Sequence, residues 1–279
     1  MAAISDLSNL ATLLTNGSAQ HYNVFIDSRV AASPATATIA GQFTSLWKYN
    51  KSTGANGLNP PIGPGEAPTR LTQGALRHTN ATTGKELWLL GVEAVATSGG
   101  SFILYDRLVH TRGLSGLSTA AQAVNTAALT RNVTGVGNQI WIEIYALIGT
   151  AATTLTASYT NQAGVAGKVT LPVVFGGTNA REEARLIRLP LADGDTGVQS
   201  VQTITVPLST NVQGDYGVTI ARPLVRGYVE GPATACFRDL LSGVPSMMTI
   251  PDDACLALGW VAGSATAPRL DFSYHAVEK

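Results

Sequence analysis

Charged residues are scarce in this sequence. Asp, Glu, Lys and Arg make up 13% of its 279 residues, whereas roughly 25% is usual in a globular domain. The 18 basic and 18 acidic residues give a formal net charge of +0, and the basic residues are scattered singly. A nucleic-acid-binding surface needs clustered Lys and Arg, so we expect no nucleic-acid partner. Low charge is also typical of surfaces that become buried against neighbouring subunits.

Long apolar runs and targeting patterns are also missing. The sequence has no stretch of 18 uninterrupted apolar residues, so we expect no membrane partner. Residues 1–14 contain Asp6 but no Lys or Arg, and they do not have the pattern of a signal peptide. We therefore expect synthesis in a cytoplasm.

Cysteine is limited to Cys236 and Cys255. Two thiols are too few for a disulfide framework. They either bridge each other or serve as small buried hydrophobic side chains, and a reducing cytoplasm favours the buried thiols.

Motifs for catalysis and metal binding are not found. The four histidines show no ligand spacing, and the sequence has no HExxH, CxxC, Gly-x-Ser-x-Gly or phosphate-binding glycine loop. We predict no catalytic residue, cofactor or metal site, and no enzymatic activity. If the chain were a glycoside hydrolase, Glu143 would be the first candidate for its general acid.

The sequence is rich in β-strand patterns. In 139–145 the apolar Ile140, Ile142 and Ile144 alternate with other residues, and 154–160 and 269–277 alternate in the same way. Period two with one apolar face predicts antiparallel sheet. The principal predicted strands are 87–96, 101–110, 139–148, 154–160, 167–174, 185–190, 198–208, 217–229, 254–262 and 269–277. Residues 21–30 are a candidate for one further strand.

Helical patterns are few. Residues 4–14 have apolar positions at helical spacing and predict a short amphipathic helix. Residues 118–128 are alanine-rich and are interpreted as a helical turn. Residues 236–242 are interpreted as a short helix that ends at Gly243. The predicted fold is therefore an all-β, jelly-roll-like antiparallel β-sandwich with a short N-terminal helix.

A segment rich in Pro and Gly, residues 50–68, interrupts the regular patterns. Its composition excludes a helix or a central strand and predicts an extended arm or a long loop. We expect two parts: residues 1–84 with the helix and the arm, and residues 85–279 with the sandwich. An arm of this kind is a candidate for wrapping a neighbouring subunit.

Trp141, Glu143 and Tyr145 share the strand face opposite the three isoleucines. This face is either buried against the arm or a partner, or it is an exposed stacking platform for a glycan. Burial is the favoured interpretation, because aromatic residues are enriched at interfaces.

Three segments of the sequence resemble virion structural proteins of tailed bacteriophages. They are 100–108 (GSFILYDRL), 137–145 (GNQIWIEIY) and 156–162 (TASYTNQ). The resemblance covers roughly residues 85–175. It implies a β-sandwich subunit of the head, neck or tail. Head-decorating proteins of such phages are often sandwiches that trimerise and bridge capsomers. The expected location is the virion, and the expected partners are further copies of the chain, with a trimer favoured, and other virion proteins.

The expected function is that of a capsid-associated decoration or cement subunit, and the alternative is a receptor- or glycan-binding module of the tail or neck. No functional residue is implied by the resemblance. From the residues themselves, the candidates for contacts between subunits are Leu7, Leu10, Leu14, Leu58, Ile62, Leu71, Trp141, Tyr145, Met247 and Met248.

Overall fold

The structure is a computed structural model, and it describes residues 7–15, 19–27, 40–51, 56–178, 180–239, 248–264 and 269–279. Strands account for 49% of the structure and helix for 4%. This confirms the predicted all-β class with antiparallel sheets. The predicted N-terminal helix is present as α1 (Leu7–Thr15).

Sixteen strands lie within the described residues. In chain order they are β1 (Ala19–Asp27), β2 (Phe43–Ser45), β3 (Leu87–Ala96), β4 (Gly100–His110), β5 (Gln122–Ala123), β6 (Gln139–Ala146), β7 (Thr153–Asn161), β8 (Lys168–Val169), β9 (Val173–Phe175), β10 (Leu186–Leu189), β11 (Val198–Thr205), β12 (Asp215–Val229), β13 (Ala235–Asp239), β14 (Thr249–Ile250), β15 (Leu256–Ala262) and β16 (Arg269–Glu278).

The strands form three antiparallel sheets rather than the two of a simple sandwich. The central sheet has the order β10-β6-β12-β4-β15-β2. The first outer sheet has the order β1-β16-β3-β13, with β14 also paired to β3. The second outer sheet has the order β5-β11-β7-β8, with β9 also paired to β7.

Each outer sheet shares a hydrophobic core with the central sheet. Phe102 of β4 packs edge-on against Phe272 of β16, with ring centroids 5.4 Å apart, in the core of the first outer sheet. Ile140, Ile142 and Ile144 of β6 lie in the core of the second outer sheet, as their alternation predicts. Full burial of such side chains contributes about 1.5–3 kcal/mol each, so these two cores account for much of the stability of the fold.

Two helical predictions are wrong. Residues 236–239 belong to β13, where they pair with β3, and the rest of the predicted helix lies outside the described residues. Residues 118–128 form no helix, because the backbone N–H groups of Val124 and Thr126 donate to carbonyls of β11 instead. In both places pairing with a distant strand overrides a weak local helical preference.

Strands on the two sides of the predicted boundary at residues 84 and 85 pair with each other. Strand β1 is paired along its whole length with β16, and β2 is paired with β15. The N-terminal region thus supplies strands to two of the three sheets.

Candidate assembly surface

The described part of the arm lies along its own sandwich. Ile62 forms a β-bridge with Arg112, and Glu66 forms one with His110. The Nε of Arg112 also donates to the carbonyl of Pro60 at 2.7 Å. The segment predicted as an extended arm or a long loop therefore makes these backbone contacts within its own chain, and its contact with a neighbouring subunit stays a prediction.

A buried ion pair fixes the far end of the arm. Asp106 of β4 is fully buried, and its two carboxylate oxygens each lie 3.0 Å from the guanidinium of Arg131. The same guanidinium donates to the carbonyl of Pro68 at 2.9 Å and to that of Arg107 at 3.2 Å. The chain segment at Pro68 is thus attached to the central sheet through Arg131.

Trp47 lies between the arm and the central sheet. Its Nε1 donates to the carbonyl of Leu58 at 2.8 Å, and the guanidinium carbon of Arg107 lies 4.6 Å from the centre of its ring. Two glycines allow the arm to approach it closely. A Cβ at Gly57 would lie 2.3 Å from the Trp47 carbonyl oxygen, and one at Gly74 would lie 2.7 Å from the indole ring.

The aromatic face of β6 is buried, which agrees with the favoured prediction and excludes an exposed stacking platform. Tyr105 stacks on Trp141 with ring centroids 5.6 Å apart, and Phe43 packs edge-on against Trp141 at 5.7 Å. The cover comes from the N-terminal region of the same chain. Trp141 and Tyr145 are therefore not available to a partner in this fold, and their assignment as interface residues is corrected.

A buried polar cluster lies on this face. Arg107 and Glu143 are both buried, with Nη2 and Oε2 2.5 Å apart. The hydroxyl of Tyr145 donates to the same Oε2 at 3.0 Å, and that of Thr219 donates to it at 3.3 Å. Sequence reasoning placed Glu143 on this face but did not find Arg107, which is 36 residues away and has no local signal.

Glu143 is not suited to act as a general acid. Burial alone would raise its pKa, but the charge of Arg107 and the hydrogen bonds to the carboxylate outweigh that effect and leave the pKa lowered. A general acid needs a raised pKa and access to substrate, and Glu143 has neither. Its ion pair with Arg107 is a structural contact.

His110 extends the cluster toward the arm as a neutral side chain. Its Nδ1 accepts from Arg107 Nε at 2.8 Å, and its Nε2 donates to Glu66 Oε1 at 2.9 Å. Burial, followed by the charge of Arg107, lowers its pKa to about 4. Burial likewise lowers the pKa of His78 to about 4. Neither histidine is protonated in the folded protein at neutral pH.

We expect the protein to lose stability as the pH falls from 6.5 toward 4. The unfolded chain binds protons at His78 and His110 near pH 6.5, whereas the folded chain binds them only near pH 4. Stability is therefore fully present above pH 6.5 and falls by at most about 1.4 kcal/mol per pH unit for each histidine. Urea unfolding at pH 7.5, 6.0 and 5.0 measures this loss. The variant His78→Leu should show a shallower pH dependence, and an unchanged slope would contradict the assignment.

Two apolar side chains of the arm and a third in the turn that follows it are exposed to solvent. Leu58 is 63% exposed, Ile62 66% and Leu71 57%, while the backbone that carries them is held against the sandwich. We call these three residues the outer arm surface. All three were candidates from the sequence, and their contact with a partner stays a prediction.

The other apolar candidates have different environments. Leu14 of α1 is exposed, whereas Met248 is half-buried and packs against the core of the first outer sheet. Met247 and the side chains of Leu7 and Leu10 lie outside the described part of the chain.

Another candidate assembly surface, which is uncharged, is the solvent-facing side of the second outer sheet. The outward positions of β7 are Thr154, Thr156, Ser158 and Thr160. Two exposed valines, Val169 and Val174, lie opposite Ser158 and Thr154. The alternation of β7 is visible in the sequence, but its pairing with the two valines is not.

Other sites find no support among the described residues. They contain no group of three or more His, Cys, Asp or Glu side chains placed to hold a metal ion. Cys236 and Cys255 are free and buried, which confirms the buried-thiol interpretation. Within the same residues no helix is both long and apolar enough to cross a membrane.

Comparison with known proteins found no relative: no family model matches the chain, and neither the curated proteins nor the solved structures contain a significant match.

Proposed function

We propose that this chain is a structural subunit of a tailed-phage virion, and specifically a capsid-associated decoration or cement protein that acts through contacts between subunits. The outer arm surface carries the proposal. Its three apolar side chains are each more than half exposed, two of them on the arm and the third in the turn that follows it.

The described part of the arm is already ordered on its own sandwich. Trp47 and Arg131 donate hydrogen bonds to arm carbonyls, and Glu66 pairs with the backbone of His110. A partner that binds Leu58, Ile62 and Leu71 would bury apolar area without first having to order the segment, which lowers the entropic cost of association. This is a suitable arrangement for a subunit that holds its neighbours together.

The low charge of the chain supports the same proposal. Charged side chains are depleted at the centres of interfaces, and the outward positions of β7 are all Ser or Thr. The expected partners are further copies of the chain, as a homo-oligomer for which we favour a trimer, together with other virion proteins.

The glycan-binding alternative loses the stacking platform predicted on strand β6. Trp141 and Tyr145 were the stacking candidates, and both are buried. The structural role is therefore the better supported of the two.

We expect the full-length chain to form trimers or larger species in solution, and the variant Leu58→Ser/Ile62→Ser/Leu71→Ser to shift them to monomers without loss of folding. Burial of these side chains drives association, and their exposure in the monomer makes them dispensable for the fold. Light scattering over a range of concentrations measures the mass, and circular dichroism checks the fold.

A matched control is the variant Phe25→Ser/Tyr228→Ser/Phe237→Ser, since these side chains are 53% to 60% exposed and lie away from the arm. It should associate like the wild type. Equal association of the arm variant and the wild type, or loss of association in the control alone, would contradict the role of the outer arm surface. A wild-type chain that is monomeric at every concentration and binds no phage capsid would overturn the proposed function.

A further inference from the structure

Two histidines meet on the outer face of the first outer sheet. His21 of β1 and His275 of β16 are direct cross-strand partners. Their Nδ1 atoms lie 3.0 Å apart, and their ring centroids are 4.3 Å apart. His21 is exposed and His275 is partly exposed, so solvent reaches the pair.

The separation of the two nitrogens fits one bound cation. Imidazole nitrogens bind first-row divalent metals at about 2.0–2.1 Å, so two nitrogens 3.0 Å apart would subtend about 90° at the metal. Right-angled nitrogen ligands are typical of tetragonal Cu²⁺ and Ni²⁺ sites. A tetrahedral Zn²⁺ ion would instead need the nitrogens about 3.4 Å apart.

The surroundings of the pair favour a cation. The neighbouring cross-strand row forms a polar pocket that is lined by Asn23, Glu93, Val95, Asp271 and Ser273. This lining contains two carboxylates and no basic side chain. Helix α1 lies beside β1 and β16, and its sequence, LSNLATLLT, contributes no titratable group.

Burial, followed by the charge of the neighbouring His21, lowers the pKa of His275, and the charge of Glu93 opposes them only in part. The unprotonated imidazole nitrogen is the form that binds metal.

We propose that His21 and His275 form a two-histidine chelate site for a divalent transition metal of the Cu²⁺ or Ni²⁺ class, with the remaining coordination positions open to water. The site goes beyond the proposed function. A metal bound there would also link the edge strand β1 to β16.

The chain is well suited to a direct test, because its other two histidines are buried. His78 and His110 are 3% and 1% exposed, and both cysteines are buried. Tag-free, full-length protein would be titrated with Cu²⁺ by calorimetry at pH 7.5 and examined by electron paramagnetic resonance. We expect one equivalent to bind, with a tetragonal spectrum and hyperfine coupling to two nitrogens.

Single variants His21→Asn and His275→Asn should each weaken binding by about 100-fold or more, because each leaves one ring and removes the chelate effect. The control Phe25→Ala lies on the same strand and face as His21, outside the polar pocket, and should bind like the wild type. If the wild type bound Cu²⁺ no more tightly than the double variant His21→Asn/His275→Asn, the proposal would be overturned. The two nitrogens would then share only a proton. Unchanged binding in both single variants would overturn the proposal as well.

Discussion

Replacing Glu143 by Gln should lower the free energy of unfolding by about 3–5 kcal/mol, because the change leaves the guanidinium of Arg107 buried without a counter-charge. Both side chains of the pair are at most 2% exposed, so water cannot take the place of the lost carboxylate. The hydroxyls of Tyr145 and Thr219 would also lose their ionised acceptor. Urea unfolding at pH 7.5, followed by fluorescence, measures the change.

The matched control is Glu183→Gln, the same substitution in the partly exposed pair of Glu183 with Lys48. Exposed pairs contribute about 0–1 kcal/mol, so this variant should unfold near the wild type. The double variant Arg107→Met/Glu143→Gln should recover part of the loss, since it removes the orphaned charge. Equal effects of the two glutamine substitutions would show that Glu143 is not held as the structure has it.

Replacing Trp47 by Ala is expected to have a similar cost, about 3–5 kcal/mol, and also to release the arm. The indole is buried, its Nε1 holds the carbonyl of Leu58, and its ring covers Arg107. Gly74 also packs closely against the indole, so loss of the ring should loosen the chain around Arg70, and trypsin should cleave there faster than in the wild type. Denaturant unfolding measures the first effect, and limited proteolysis with mass spectrometry measures the second.

Trp47→Phe separates the two contributions of the side chain. It keeps an aromatic ring over Arg107 but removes the donor to Leu58, so its stability should lie between that of the wild type and that of Trp47→Ala. If Trp47→Ala lowered stability while cleavage at Arg70 stayed at the wild-type rate, Trp47 would be a core residue that does not hold the arm.

Regular strand patterns made much of the fold predictable. Strand β3 has the predicted bounds, 87–96, and the predicted strands at 101–110 and 269–277 differ from β4 and β16 by one residue at one end. These segments have one or two buried faces, and each segment contains the spacing of apolar residues that its place in the sheet requires. The segment predicted as one strand at 167–174 is instead divided into β8 and β9.

Short strands were harder to predict, because they are too brief to show a period. Strands β2, β5 and β14 have two or three residues each, and their pairing depends on partners elsewhere in the chain. Strand β13 shows the same dependence, since its pairing with β3 replaced a predicted helix.

The sequence by itself determined the all-β class, the alternating faces of the long strands and the chain's low charge. Each of these is a local property, carried by residue type and spacing within a few positions. Only the tertiary structure decided that the arm lies on its own sandwich, that the N-terminal region covers Trp141, that Arg107 pairs with Glu143 and that His21 meets His275. Those contacts join residues between 36 and 254 positions apart. A period-two pattern shows which side of a strand is apolar, but only the packing of distant segments determines what covers that side.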